Sequence, residues 1–297
     1  MMRQAATRRF GHIGIAGTGR VAQALGRYLI ERGQPVMAIA GRNPERTAQA
    51  ARFLSGCTTP TTIQELPAFA SHILIAVSDA AVEPVAALLA RSGFRRGIAL
   101  HTCGAKGPEA LKVLAGRGVN CGSLHPMQSF ATAEQGLVSL PGSVVAIDGD
   151  PPALQWASVI VWLLRGRIIR ISSEHRCFYH AAAVMAGNYV TALIHSAVEL
   201  LQAAGVERLT ALNALAPLVR TSAENSFRLG PVDALTGPIQ RGDSATVLAH
   251  LKTLQGHSST AASLYCSAGR LAVQMARLHG LPEAKAAKLE EMLVLAQ

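Results

Sequence analysis

Short apolar runs alternate with amphipathic stretches through the first part of the chain, and that alternation then stops. Residues 12–16 are apolar and pass into a glycine turn, after which an amphipathic segment begins. Residues 35–40 form a second apolar run, followed by a helical pattern over 47–53 and a polar, threonine-rich loop. Residues 71–77 are almost continuously apolar, as a parallel strand buried on both faces requires. A helix of alanine, valine and leucine follows, with Ser78 or Asp79 as its natural N-cap. Further strands are predicted at 97–100, 119–124, 144–147 and 167–171, with a helix over 152–164 between the last two. From residue 173 onward no strand pattern recurs. A long helix is predicted over 174–204, stopped by Gly205, and others near 209–229, 243–255, 259–279 and 282–295, the first of these kinked at Pro217. The expected architecture is α/β: a doubly wound parallel sheet over residues 11–172, an all-α domain over 173–297, and a disordered basic tail at 1–10.

The first turn carries specific chemistry. Gly17-x-Gly19-x-x-Ala22 lies between a strand and a helix, the order of a dinucleotide-binding opening. Gly17 permits the sharp reversal, Gly19 lets the main chain approach a pyrophosphate, and Ala22 lets the helix pack on the strand. Thr18, Arg20 and Val21 complete the cofactor-binding run, and the helix N-terminus offers free N–H groups and a partial positive charge. The second strand then runs into Gly41-Arg42-Asn43-Pro44 with no acidic residue at its end, where an NAD site usually has one. Arg42 is placed to meet a 2′-phosphate, with Asn43 as a hydrogen-bond partner and Arg46 as a second cation, so NADP is expected as the cofactor. The plainer alternative is that Arg42 is a solvated loop residue.

Composition narrows the classes. A chain of 297 residues with 49% hydrophobic and 4% aromatic residues holds two domains with an aliphatic core. The net charge of +10 raises nucleic acid as a partner, but the arginines are scattered and stacking platforms are few, so none is expected. No apolar run is read as spanning a membrane, since Trp156 to Leu164 is too short, and no secretory leader is seen. Five cysteines with no Cys-x-x-Cys pair fit a reduced, cytoplasmic protein. His101, Cys103, Cys121 and His125 end predicted strands, but their spacing matches no common zinc site, and no metal is expected. Ser78 and His101, at the carboxyl ends of strands, are candidates for the nicotinamide end of the cofactor. His125 either faces the nicotinamide and substrate or braces its loop.

The chain resembles the bacterial proteins that carry the domain of unknown function 2520 behind a Rossmann-type domain. The resemblance rests on His101-Thr102-Cys103-Gly104, Leu124 to Phe130, Tyr179-His180 through Asn188-Tyr189, and Leu235 to Asp243. Cys103 stands where this family is expected to have serine. The family is similar to the pyrroline-5-carboxylate, ketopantoate and 3-hydroxyisobutyrate reductases. The resemblance implies an NADP-dependent oxidoreductase with a helical second domain of the 6-phosphogluconate dehydrogenase type, which commonly dimerises.

Ketopantoate reductases carry a catalytic lysine eight residues before an asparagine in an Asn-x-x-Thr-Ala context. Here Asn188-Tyr189-Val190-Thr191-Ala192 matches that context, and His180 takes the place of the lysine. Reducing a carbonyl or imine needs a hydride and a proton, and a histidine suits the second task. His180 and Asn188 are thus the catalytic candidates; the alternative is a packed helix-face histidine and an interface asparagine. Thr236 and Arg241 could hold a small carboxylate substrate, or serve loop and capping roles with Asp243. The expected function is hydride transfer between NADPH and a small oxo- or imino-acid in a homodimer. The alternatives are a catalytically silent dinucleotide-binding sensor or scaffold and a deazaflavin-linked reductase.

Overall fold

The computed structural model describes residues 11–296, so the expected basic tail at 1–10 lies outside the described residues. The chain divides into two compact units, one ending at Tyr189 and the other beginning at Val190.

In the first unit, strands and helices alternate as β1 (Ile13–Ala16), α1 (Arg20–Glu31), β2 (Val36–Ala40), α2 (Pro44–Leu54), β3 (Thr59–Thr61), β4 (His72–Ile75), α3 (Val82–Arg91), β5 (Ile98–His101), α4 (Lys112–Ala115), β6 (Asn120–Pro126), α5 (Ala133–Ser139), β7 (Val144–Gly149), α6 (Pro151–Leu163), β8 (Arg167–Arg170) and α7 (Arg176–Val184). The strands form one eight-stranded sheet in the order β3-β2-β1-β4-β5-β6-β7-β8. The first six run parallel, whereas β7 is antiparallel to β6 and β8 follows β7. Two features differ from the sequence reading. Strand β3 replaces part of the expected threonine-rich loop; with Pro60 at its centre it can exist only at a sheet edge, where a missing N–H costs little. The reversal at β7 is invisible to hydrophobic patterning, which reports burial and not strand direction.

Apolar side chains fill both faces of the sheet. Ile15, Leu74, Leu100, Leu124 and Ile147 pack with α1, α2 and α6 on one side, and Ile73, Ile75, Ala99, Cys103 and Cys121 with α3 and α4 on the other. Alternation along β6 therefore puts Cys121, Ser123 and His125 on the α3 face. Helix α7 stays with the sheet because Arg176 and Tyr179 are buried there. The strands end near residue 172 as the pattern suggested, but the compact unit runs on to Tyr189.

Met185–Tyr189 forms a single π-helical turn, and the second unit begins with α8 (Val190–Ala203). It continues through α9 (Arg208–Leu229), α10 (Pro231–Ala234), α11 (Pro238–Arg241), α12 (Ser244–His257), α13 (Ser259–Leu278) and α14 (Glu283–Leu295). Its core gathers Val247, Leu251, Cys266, Val273, Ala286, Leu289 and Leu293. Asp243 caps α12, accepting from the Thr246 backbone N–H at 3.1 Å and its hydroxyl at 2.7 Å. One expectation is corrected here. The helical stretch Ser173–Ala203 is long and apolar enough to cross a membrane by length and composition, with a mean hydropathy of 1.3 and only 6% of that window buried. A search for unbroken apolar runs misses it because polar residues interrupt a largely aliphatic helix.

Candidate functional site

The phosphate turn has the geometry its residues dictate. Gly17 sits at φ +123°, and a Cβ there would strike the Ala76 carbonyl. Gly19 caps α1 with no side-chain bond, and a Cβ there would meet nothing within 4 Å, so its open side is free for a pyrophosphate. Thr18 is held by its own carbonyl, which accepts from Gln23 Nε2 at 2.9 Å. These residues form one end of a groove of about 890 Å³, lined also by Arg20, Val21, Arg42, Ser78, Asp79 and Thr102. Phe130 closes its edge, and Arg20 Nη1 donates to the Phe130 carbonyl at 3.4 Å. Volume, glycine cradle and helix N-terminus fit a dinucleotide.

Two cofactor candidates lie outside the groove lining. Asn43 is not in the lining; its Oδ1 accepts from the Arg46 backbone N–H at 2.9 Å, so it fixes the start of α2 beside Arg42. His101 is fully buried, with Nε2 at 2.8 Å from the Gly107 carbonyl and Nδ1 accepting from the Cys103 N–H at 3.3 Å. Both nitrogens shape the loop after β5, and neither faces the groove. Burial holds its pKa below the ordinary histidine range. Ser78 does line the groove and makes no capping bond.

A second cluster lies behind that loop. His125, at the end of β6, and His180, on α7, stand with ring centroids 6.1 Å apart and planes at 74°. Gly104 fills the space beside them: a Cβ there would come within 2.7 Å of His180 Cδ2 and 2.8 Å of His125 Nε2. The other edge of His125 meets Tyr179, whose hydroxyl lies 2.6 Å from Nδ1. Below them Arg176 is wholly buried, donates through Nη2 to the Ser123 hydroxyl, and leaves Nε and Nη1 without a partner among the described residues. Burial, then the charges of His180 and Arg176, lowers the His125 pKa to about 4. Burial pushes the Tyr179 phenol up to about 12. Burial and the neighbouring Asp79 carboxylate push the Cys103 thiol up to about 11, which leaves it unreactive.

The structure therefore brings His125 and His180 together, and it adds Tyr179, Arg176, Ser123 and Gly104, which sequence reasoning did not assign to a site. Asn188 lies exposed in the π turn. Eight residues of regular α-helix would leave about 80° between positions 180 and 188, and the wider turn closes part of that angle. Thr236 and Arg241 are exposed around α11 of the second unit. Among the described residues no group of three or more metal-ligating side chains is placed to hold an ion.

The fold and groove have the layout of a dinucleotide-binding domain, and a helical unit follows it in sequence. Residues 12–98 match the family model "NADP oxidoreductase coenzyme F420-dependent", and residues 143–272 match the domain of unknown function 2520. No curated protein matches the chain. A Bacteroides fragilis protein, provisionally assigned as an NADP oxidoreductase, shares the fold with a TM-score of 0.72 at 22% identity, over 90% of this chain and 96% of that one. A Thermotoga maritima protein matches with a TM-score of 0.67 at 22% identity, over 90% and 99%. Plasmodium falciparum pyrroline carboxylate reductase with NADP bound matches with a TM-score of 0.60 at 16% identity, over 95% and 98%.

Proposed function

We propose that this chain is an NADPH-dependent reductase of a small oxo- or imino-acid. The observation that carries the reading is the loop after β5. Thr102 lines the dinucleotide groove, and Gly104, two residues on, touches both histidines. One short segment thus joins the place where a nicotinamide would end to a pair of proton-bearing side chains.

When bound, NADPH supplies the hydride. The protein's part is to place it and to manage charge. Gly17 and Gly19 admit the pyrophosphate, the α1 N-terminus neutralises it, and Arg42 meets the 2′-phosphate. His180 gives the proton that the reduced oxygen or nitrogen takes up, and Asn188 orients that atom. The test is a turnover screen of oxo- and imino-acids, followed by nicotinamide absorbance. Oxidation of NADPH by one of them, lost in His180→Gln, supports the reading; tight NADPH binding with no turnover of any supports a sensor or scaffold instead. The match of residues 12–98 also favours a second reading, in which the partner in hydride exchange is a deazaflavin of the F420 type. Reduction of that cofactor by NADPH would decide for it.

The exposed apolar side chains of α8 and α9 support a homodimer. On α9 Leu209 and Leu218 are each 63% exposed and Phe227 91%, and on α8, which packs on it, Leu193 is 44% exposed. A second copy is the occupant assigned to this surface, in a reduced, cytoplasmic setting with no nucleic acid or membrane. Sedimentation at working concentration tests it: a monomer overturns it.

A further inference from the structure

Two histidines at one site invite the assumption that they do the same work, but their surroundings differ. His125 is gripped on one edge only. Tyr179 is a buried residue, and its hydroxyl makes one hydrogen bond among the described residues, to Nδ1 of His125 at 2.6 Å. A buried phenol must donate its proton somewhere, and Nδ1 is the acceptor within reach. A nitrogen that accepts carries no proton, so an uncharged ring has its proton on Nε2. That nitrogen faces Gly104 and the His180 ring, the side toward the loop that lines the groove.

Burial first, and then the charges around the ring, keep it uncharged. From α7 come Arg176 and His180, with Tyr179 hydrogen-bonded to the ring; from β5 comes His101; and Asp79, next to Ser78, is an acid that acts in the opposite sense. Among these neighbours His180 acts most strongly and Arg176 next. Arg176 is wholly buried, its hydrogen bond goes to the neutral Ser123 hydroxyl, and Asp148 and Glu109 act on it only at a distance. A positive charge so weakly compensated and near enough to act on the ring opposes a second one on His125.

We propose that Tyr179 and Arg176 are positioning residues that hold His125 as a neutral imidazole protonated on Nε2, so that His125 hydrogen-bonds the substrate's carbonyl oxygen or imine nitrogen while His180 delivers the proton. The proposal rests on the reductase reading. In the step, the hydride forms the new C–H bond, and the electron pair of the C=O or C=N π bond moves to the heteroatom. That atom takes a proton from the His180 imidazolium, which becomes imidazole; the nicotinamide is oxidised, and His125 keeps its proton throughout. A neutral imidazole is a fixed donor at the developing charge, which needs no reorganisation as the charge forms.

The test is the 15N spectrum of histidine-labelled protein, with His125 assigned by its loss in His125→Gln. The expected result is an unprotonated Nδ1 and a protonated Nε2 across about pH 5 to 8, with Tyr179→Phe mixing the tautomers and Arg176→Met moving the ring's titration upward. In turnover, Tyr179→Phe lowers kcat about tenfold with KM for NADPH unchanged, and His125→Gln, which keeps a donor near the Nε2 position, retains more activity than His125→Ala. A proton on Nδ1 in the wild type, or a Tyr179→Phe protein with the same tautomer and titration, overturns the proposal. NADPH binding in each variant reports whether the groove is intact. The spectra need no substrate: the predicted tautomer together with absent NADPH turnover would overturn the reductase reading and leave the positioning of His125 standing.

Discussion

The dinucleotide groove and the histidine cluster lie in the same compact unit and are built in opposite ways. The phosphate end of the groove is built from backbone: two glycines and a helix N-terminus within residues 17–20, with the side chains of Arg20 and Arg42 beside them. The cluster is made by side chains from the end of β6 and from α7, more than fifty positions apart in sequence, that meet beside Gly104 of the loop after β5. A site made of backbone is specified by local sequence and tolerates little change. A site made of converging side chains depends on sheet register and helix docking, and its chemistry is set by what surrounds each ring.

The strongest way to break this contrast is Gly17→Val. The position is in the left-handed region and its Cβ would strike the Ala76 carbonyl, so NADPH binding should fall by roughly a hundredfold or more and the melting temperature should drop with it. Unchanged NADPH affinity would mean the turn does not cradle the cofactor. On the side-chain site, His180→Gln should lower kcat by roughly a hundredfold with NADPH affinity unchanged, the size expected for loss of one general acid. Equal turnover would remove His180 from proton transfer. Gly104→Ala, whose methyl would press on both rings, should cost roughly tenfold in kcat while leaving the groove intact.

The smallest effect is on stability against pH. The folded His125 pKa of about 4 lies below the unfolded value near 6.5, so the unfolded chain takes up the proton first. Its contribution is fully present above about pH 6.5 and is lost as pH falls through about 4; His101 and His72, also lowered by burial, act in the same direction. Thermal melts over that window should show the decline, and His125→Gln should flatten part of it. A variant with the same slope would place the titration elsewhere.

The groove was legible because its signals are local: Gly17, Gly19 and Ala22 are spaced along one turn, and Arg42 ends the next strand. His125 and His180 were both singled out, but nothing in the sequence joined them, since their meeting depends on α7 lying over the α3 face of β6. His101 misled because a polar residue at a strand end looks the same whether it faces a ligand or its own loop. Asn43 misled similarly, since a cap and a phosphate ligand want the same side chain. Tyr179 gave one usable signal, its place beside His180. Arg176 gave none, because an arginine at the start of a helix is ordinarily solvated.

The most direct test of the account is titration of the purified protein with NADPH and NADH, followed by nicotinamide fluorescence, in the wild type and in Arg42→Ala. The account predicts that NADPH binds the wild type more tightly than NADH, and that Arg42→Ala loses roughly ten- to a hundredfold for NADPH while leaving NADH unchanged. No binding of either nucleotide, or equal binding of both in the wild type with no change in the variant, would contradict it.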